Sequence, residues 1–264
     1  MSGPPGPPAR AQGRDAAAQR GAAERSPDPT GRDAAAQRGA AERSPPRAGI
    51  PFVVAAPSGT GKTTVCRRVV ERDPQVEFSV SHTTRAPRPG EVDGVAYHFV
   101  TRADFDCLVE QKKLLEWAEY HGHHYGTSWA ALEGPLSKGR DVLLEIEIQG
   151  ARQVRARRPD ARLIFLLSPS LEVLERRLRS RKTESEQDVA ARLKLARREI
   201  AEADGCFDYA VVNDDLERCV AQVLEILAAE RAGAAQDLRR RFDPARALAD
   251  LRPGVLPLGS DRVG

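Results

Sequence analysis

The nine residues APSGTGKTT, Ala56–Thr64, are the part of this chain best equipped for chemistry. They match the phosphate-loop pattern G-x-x-x-x-G-K-[ST] at every fixed position except the first, where Ala56 stands for glycine. A loop of this kind works by turning the backbone N–H groups of Ser58 to Thr63 into one concavity at a helix N-terminus, where unpaired amides and the helix dipole favour phosphate oxygens. Gly59 and Gly61 give the backbone the freedom to do so. Lys62 is expected over the β- and γ-phosphates, and the Thr63 hydroxyl is expected to ligate magnesium. The whole run, Ala56, Pro57, Ser58, Gly59, Thr60, Gly61, Lys62, Thr63 and Thr64, therefore reads as the site of a nucleoside triphosphate.

A loop of this type needs a strand behind it and a helix in front, and both are legible. IPFVVAA, from Ile50, is a short apolar run closed by Pro57 and Gly59, and Thr63–Arg72 is a helical stretch stopped by Asp73-Pro74. Further strands are expected at Asp141–Ile148, Arg162–Leu167 and Tyr209–Val212. Helices are expected between them at Ala151–Arg158, Leu171–Arg181, Asp188–Ala203 and Leu216–Arg231. That alternation predicts an α/β three-layer fold with a parallel core sheet and right-handed crossovers. Between Val76 and Tyr125 the rhythm changes to short segments, FSVSH, YHFV and LLEWAEY, separated by turns and by one helical stretch at Ala103–Lys113. A small, partly antiparallel insertion is expected there.

Three strings that follow the loop in order, SVSHTTRAPRPGEVDGVAYHF, LLEWAEYHGHHYGTS and VVNDDL, resemble the guanylate kinase family, nucleoside monophosphate kinases that make GDP from GMP and ATP. The resemblance runs from about Phe52 to Arg231. It implies a core at 50–75 and 139–231, a mixed-sheet GMP-binding insertion at 76–138 and a helical lid at about 177–198. It also implies phosphorylation of GMP, and of dGMP, by direct in-line transfer with Mg²⁺. Matched by motif, it puts Ser81, Arg85, Arg88, Glu91, Tyr97, Glu116, Tyr125, Thr127 and Glu147 around GMP, Asn213 near the adenine, and Arg177, Arg181 and Arg192 in the lid. Lys62, Arg85 and the three lid arginines are the implied catalytic set, and Thr63 with Glu145 the implied metal site.

The chemistry of these residue types agrees. Arg85 and Arg88 carry planar forks suited to a dianionic phosphate, and the Tyr97 and Tyr125 hydroxyls can donate to its remaining oxygens. Guanine presents N1–H and a 2-amino group as neighbouring donors, so Glu116 can accept twice while Ser81 or Thr127 donates to O6. LEIEIQG departs from the family pattern, in which aspartate is expected at one or both acidic positions. Glu145 and Glu147 each carry one methylene more. Two other readings use the same residues: a non-catalytic, protein-binding module of this shape, and a kinase for a different phosphorylated acceptor. An intact Lys62, Thr63 and Arg85/Arg88 set speaks against the first, and Glu116 with Ser81 and Thr127 against the second.

Composition excludes several other classes. The 264 residues carry 41 Lys+Arg against 38 Asp+Glu. The eight arginines and five acids of Met1–Gly49 hold the whole +3 excess, so no basic field is left from Ile50 onward to suggest nucleic acid as a partner. Four widely spaced cysteines suggest neither a zinc site nor a disulfide framework, and no apolar run approaches a membrane span or a secretory signal, so a cytoplasmic location is expected. His121, His123 and His124 read as a loop cluster with no partner to complete a metal site. The oligomeric state is left open.

Residues 1–49 hold a direct duplication, GRDAAAQRGAAERSP at Gly13–Pro27 and again at Gly31–Pro45, with alanines as its only apolar side chains. Ordering it would cost about 1–2 kcal/mol per residue against almost no large apolar surface, so a disordered tail is expected. At the other end, 232–264 is expected to be a partly disordered extension. Deleting Met1–Arg47 is expected to leave ADP release from ATP and GMP nearly unchanged; a several-fold loss of rate would contradict an inert tail.

Overall fold

The computed structural model describes residues 47–120, 122–180, 186–203 and 205–251. The duplicated segment, His121, Arg181 and residues 252–264 lie outside them.

Five strands form a wholly parallel sheet: β1 (Pro51–Ala55), β2 (Val76–Phe78), β7 (Asp141–Glu145), β8 (Arg162–Leu167) and β9 (Tyr209–Val212), in the order β2-β7-β1-β8-β9. β1 is central and buried along its whole length, which is why it reads as a continuous apolar run. Alternate residues feed two cores. Val53, Ala55, Leu144, Phe165 and Leu167 pack on one face beneath α3 (Trp129–Ser137) and α4 (Ile148–Arg157). Phe52, Val54, Leu143, Ile164 and Leu166 pack on the other beneath α1 (Lys62–Arg72) and α7 (Leu216–Arg231). Placing β1 between β7 and β8 brings the carboxyl ends of all three to one edge, where ligands of open α/β sheets bind.

A second, four-stranded sheet has the order β4-β3-β6-β5, with β3 (His82–Thr83), β4 (His98–Phe99), β5 (Leu114–Tyr120) and β6 (His123–Ser128). Only β3 and β4 run parallel in it. The helix α2 (Arg102–Glu110) lies between β4 and β5 in sequence and starts at a capping box formed by Thr101 and Asp104. This sheet is narrower than the insertion expected at 76–138. The expected strand FSVSH is divided, with Phe78 completing β2 at the edge of the parallel sheet and His82 opening β3. His123 and His124 lie on a strand rather than in a loop, and His124 is stacked on Trp117. The sequence gives no sign of the helix α3, since Gly134-Pro135 imitates a turn; Ser128 caps it and Leu132 buries it.

Two further differences concern element ends. The expected strand Asp141–Ile148 stops at Glu145, and Glu147 becomes the N-cap of α4. The remaining helices, α5 (Leu171–Arg179) and α6 (Glu186–Glu202), also begin and end within two residues of expectation. The C-terminal extension is part of the fold as far as it is described. After α7, the short helices α8 (Gln236–Arg241) and α9 (Pro244–Leu251) return to the sheet edge. There the Phe242 carbonyl accepts from Ala210 N–H at 2.8 Å, and Leu248 is buried in the core.

Asp141, fully buried at the start of β7, binds the ends of the domain together. Its carboxylate accepts from Ile50 N–H and from Arg47, both at 2.8 Å, and from Arg231 at the end of α7. Arg47 thus has a partner within the fold. Removing a carboxylate from such a network strands buried donors, so Asp141→Ala is expected to lower the unfolding free energy by about 3–5 kcal/mol in urea titration. Arg47→Ala, at a half-exposed site, is expected to cost under about 1 kcal/mol. A loss for Asp141→Ala as small as that for Arg47→Ala would show that the network contributes little.

Candidate active site

The phosphate loop leaves the end of β1 and enters α1 at Gly61, whose φ of 99° is open to glycine at little cost. The loop is braced from outside. Asn213, at the end of β9, donates its side-chain amide to the Thr60 carbonyl at 2.7 Å. Arg177 of α5 donates to the same carbonyl at 3.4 Å and to the Asn213 carbonyl at 2.9 Å. Arg177 therefore ties the loop to the end of β9 rather than standing free in a lid.

Lys62 opens α1 and turns across to β7. Its Nζ donates to the Ile146 carbonyl at 2.8 Å and to Glu147 Oε1 at 2.9 Å. The side chain is 13% exposed. Burial works against its charge, but the Glu147 and Glu145 carboxylates outweigh burial and hold its pKa above the ordinary lysine value. The next residue, Thr63, hydrogen-bonds Glu145 Oε1 through its hydroxyl. This pair of hard oxygen donors beside the loop is chemically suited to Mg²⁺, which takes its other ligands from water and substrate phosphates. No cluster of three or more His, Cys, Asp or Glu side chains that could hold a metal occurs among the described residues.

On the insertion side, two groups of residues converge. The first surrounds Arg85, which donates to both oxygens of Glu91 at 2.9 Å and lies 5.5 Å from the centre of the Tyr97 ring. Tyr97 in turn packs edge-on against Tyr125, with 5.9 Å between ring centres. Glu91 accepts from the Arg88 N–H at 2.7 Å, so one carboxylate orients both the Arg85 fork and the backbone of Arg88, whose side chain is exposed. The Glu91 carboxyl is held below the usual range by Arg85 first and then by the Arg88 N–H.

The second group lies deeper. Glu116, on β5 and 3% exposed, accepts from the Thr127 N–H at 2.9 Å, and the Thr127 hydroxyl is 3.1 Å from that of Ser81. Burial pushes the Glu116 carboxyl up to about 7, with the Thr127 hydrogen bonds and Lys62 pulling the other way. Gly150 in α4 makes room for it, since a Cβ there would lie 2.3 Å from Glu116 Oε2.

The two sides adjoin: Lys62 Nζ rests on the Ile146 carbonyl, and Gly150 lies between the Ile146 side chain and Glu116. Tyr97 is pushed up by burial, by Glu145 and by its neighbour Tyr125, while Arg85 and Lys62 act in the opposite sense, so one phenol lies within the field of both the loop and the Arg85 cluster. Glu116 likewise feels Lys62 and Glu147. Glu147 stands between the two sides and hydrogen-bonds Lys62 rather than the Ser81–Glu116–Thr127 group.

Two further residues belong here. Burial pushes the Tyr120 phenol up, while Ser58 of the loop and Arg192 of α6 act in the opposite sense. The available clue was the strand period of two, which puts residue 120 on the same face as Glu116. Glu199 of α6 lines a cavity with Tyr120 and Glu147, and burial pushes its carboxyl up to about 7. No sequence signal marked it within a helix rich in both charges.

The family model for guanylate kinase matches residues 48–230. The guanylate kinase of Syntrophotalea carbinolica is 48% identical over 200 residues, covering 75% of this chain and 95% of that protein. That of Rubrobacter xylanophilus is 50% identical over 187 residues, covering 71% and 97%. Among solved structures, the crystal structure of guanylate kinase from Anaplasma phagocytophilum aligns with a TM-score of 0.58 at 35% identity, covering 70% of this chain and 87% of that one. A phosphate loop with its lysine in place, beside a buried carboxylate and an arginine–tyrosine cluster, accords with this similarity, and the chain belongs to the guanylate kinase family.

Proposed function

We propose that this protein transfers the γ-phosphoryl group of ATP to the phosphate of GMP, giving ADP and GDP. The observation that carries this reading is the phosphate loop whose Lys62 rests on Ile146 and Glu147, next to the buried Glu116–Thr127–Ser81 group and the Arg85–Glu91 pair. A donor bound by the loop amides and an acceptor phosphate gripped by Arg85 and Arg88 would then meet end to end, with Tyr97 and Tyr125 donating to the acceptor.

Direct transfer asks for position and charge neutralisation more than for acid–base chemistry. The second pKa of a phosphate monoester is about 6, so the GMP oxygen is already ionised near neutrality and no general base is needed. Lys62, prepositioned by the Ile146 carbonyl, would exchange Glu147 for phosphate oxygens, and Arg192 with Arg181 would add positive charge from the lid side. Mg²⁺, arriving with ATP, would be held by Thr63 and Glu145 and would neutralise charge on the β- and γ-phosphates. Arg177 acts by holding the loop.

Base selection falls to Glu116. Guanine offers its carboxylate two donors, which favour the ionised form, whereas adenine turns an acceptor toward it. Sites of this type reject the analogue lacking the matching groups by as much as roughly 10⁴–10⁵. The four cysteines, all unpaired, support a reducing, cytoplasmic setting.

With MgATP, the protein is expected to release ADP at least about a thousandfold faster with GMP than with AMP. Lys62→Ala is expected to lower that rate by about 10²–10³. Equal rates with AMP would remove the proposed base readout, and tight GMP binding without ADP release would leave only a binding module. A subtler variant separates site from scaffold. Gly150→Ala gains roughly 1 kcal/mol of helix propensity but drives a methyl group into Glu116. It is expected to raise the KM for GMP about tenfold or more with little change in melting temperature, and an unchanged KM would release Gly150 from this role.

A further inference from the structure

Glu116 stands on β5, the edge strand of the second sheet, so one row of β5 backbone groups has no strand to pair with. The helix α4 takes that place. Gln153 donates its side-chain amide to the Trp117 carbonyl at 2.6 Å and accepts from the Trp117 N–H at 3.3 Å, doing with one side chain what a neighbouring strand would do. One turn on, Arg157 donates to the carbonyls of Leu114 and Leu115. Side chains of α4 therefore hold the backbone immediately before and immediately after Glu116.

The segment held in this way is irregular. In the pairing of β5 with β6, Leu114 lies opposite Ser128 and Glu116 opposite Thr127, so Leu115 is one residue too many and forms a β-bulge. A bulge re-aims the side chains beside it, away from the direction that strict alternation would give. Leu115 is buried in the same core as Ala151 and Val154 of α4, and Glu116 accepts from the Thr127 N–H across the strand pair. Gly150 leaves room for the carboxylate, as described above. Gly150, Gln153 and Arg157 are spaced by three and four residues, which puts them on one face of α4. A single helix face thus surrounds Glu116 and its two neighbours.

We propose that Gln153 is a positioning residue for base selection: by fixing both polar groups of the Trp117 backbone it aims Glu116 at the two donors of guanine, while Arg157 secures the bulge. This role rests on the reading of Glu116 given under the proposed function. A carboxylate that accepts from both N1–H and the 2-amino group has to lie along the edge of the base, so a small rotation of β5 costs one of the two contacts. IMP is the analogue that lacks the 2-amino group. Loss of Gln153 therefore narrows the preference for GMP over IMP and leaves ATP binding alone, since the phosphate loop is braced from β9 and α5 instead.

The test is steady-state ADP release by wild type, Gln153→Met, Glu116→Gln and the double variant, with GMP, IMP and ATP varied in turn, beside melting temperatures. Gln153→Met keeps the length of the side chain and loses both hydrogen bonds. It is expected to raise the KM for GMP about tenfold, to keep the KM for ATP within about twofold of wild type, and to reduce the preference for GMP over IMP about fivefold. In the double variant the change at 153 is expected to add less than about twofold to the effect of Glu116→Gln, because its influence passes through that carboxylate. Should Gln153→Met fail to fold, Gln153→Glu, which keeps an acceptor for the Trp117 N–H, makes the same comparison with an expected rise of about threefold. A lower melting temperature with GMP and IMP kinetics unchanged would show a purely structural role and overturn the proposal. Losses that multiply in the double variant, or a KM for ATP that rises as far as that for GMP, would overturn it too. A wild type that releases no ADP with GMP, or releases it no faster than with IMP, would overturn the reading of Glu116 and the role of Gln153 together.

Discussion

A row of backbone amides binds an anion well only when the loop is held in the conformation that points them together, and in this protein Asn213 and Arg177 hold it by donating to the carbonyl of Thr60. The rest of the site depends on this brace. Asn213 follows β9 and Arg177 sits near the end of α5, so the loop conformation is held by the far side of the parallel sheet. Gly61 has no Cβ for the same reason: one would lie 2.7 Å from the Asn213 amide. The order β1-β8-β9 brings these three elements together, and the burial of their side chains in two cores keeps them there.

A cleft built for two polyanions must survive without them. Unpaired, Lys62 and Arg85 would face each other across a partly dry space, at a cost that grows as water is excluded. The protein answers with its own carboxylates. Glu147 holds Lys62, and both oxygens of Glu91 hold Arg85. Each stand-in keeps a cation oriented. Glu145 with Thr63 follows the same pattern for the cation. In this light the extra methylene at 145 and 147 is readily absorbed, since both carboxylates reach their partners.

Most of the fold was legible because its signals are local. The apolar runs of β1, β8 and β9 and the helix α7 appear where expected, since a strand buried on both faces must be apolar throughout. The missed elements are those whose stability comes from a neighbour. β6 contains a glycine and two histidines and exists because it pairs with β5, and α3 holds a proline that its own sequence would not recommend. The segment FSVSH reads as one strand, but two sheets compete for it and each takes part.

The sequence by itself determined the chemistry available: a loop for phosphate, a lysine, paired arginines, and a carboxylate with hydroxyls for a purine edge. These follow from residue type and spacing, because the groups of the loop are neighbours along the chain. Only the tertiary structure decided who faces whom. That Lys62 rests on Glu147 and that Arg177 and Asn213 brace the loop are contacts between residues 85 to 153 positions apart. Chain proximity carries no information about such contacts; they arise when strand order and helix packing close the sheet edge around the loop.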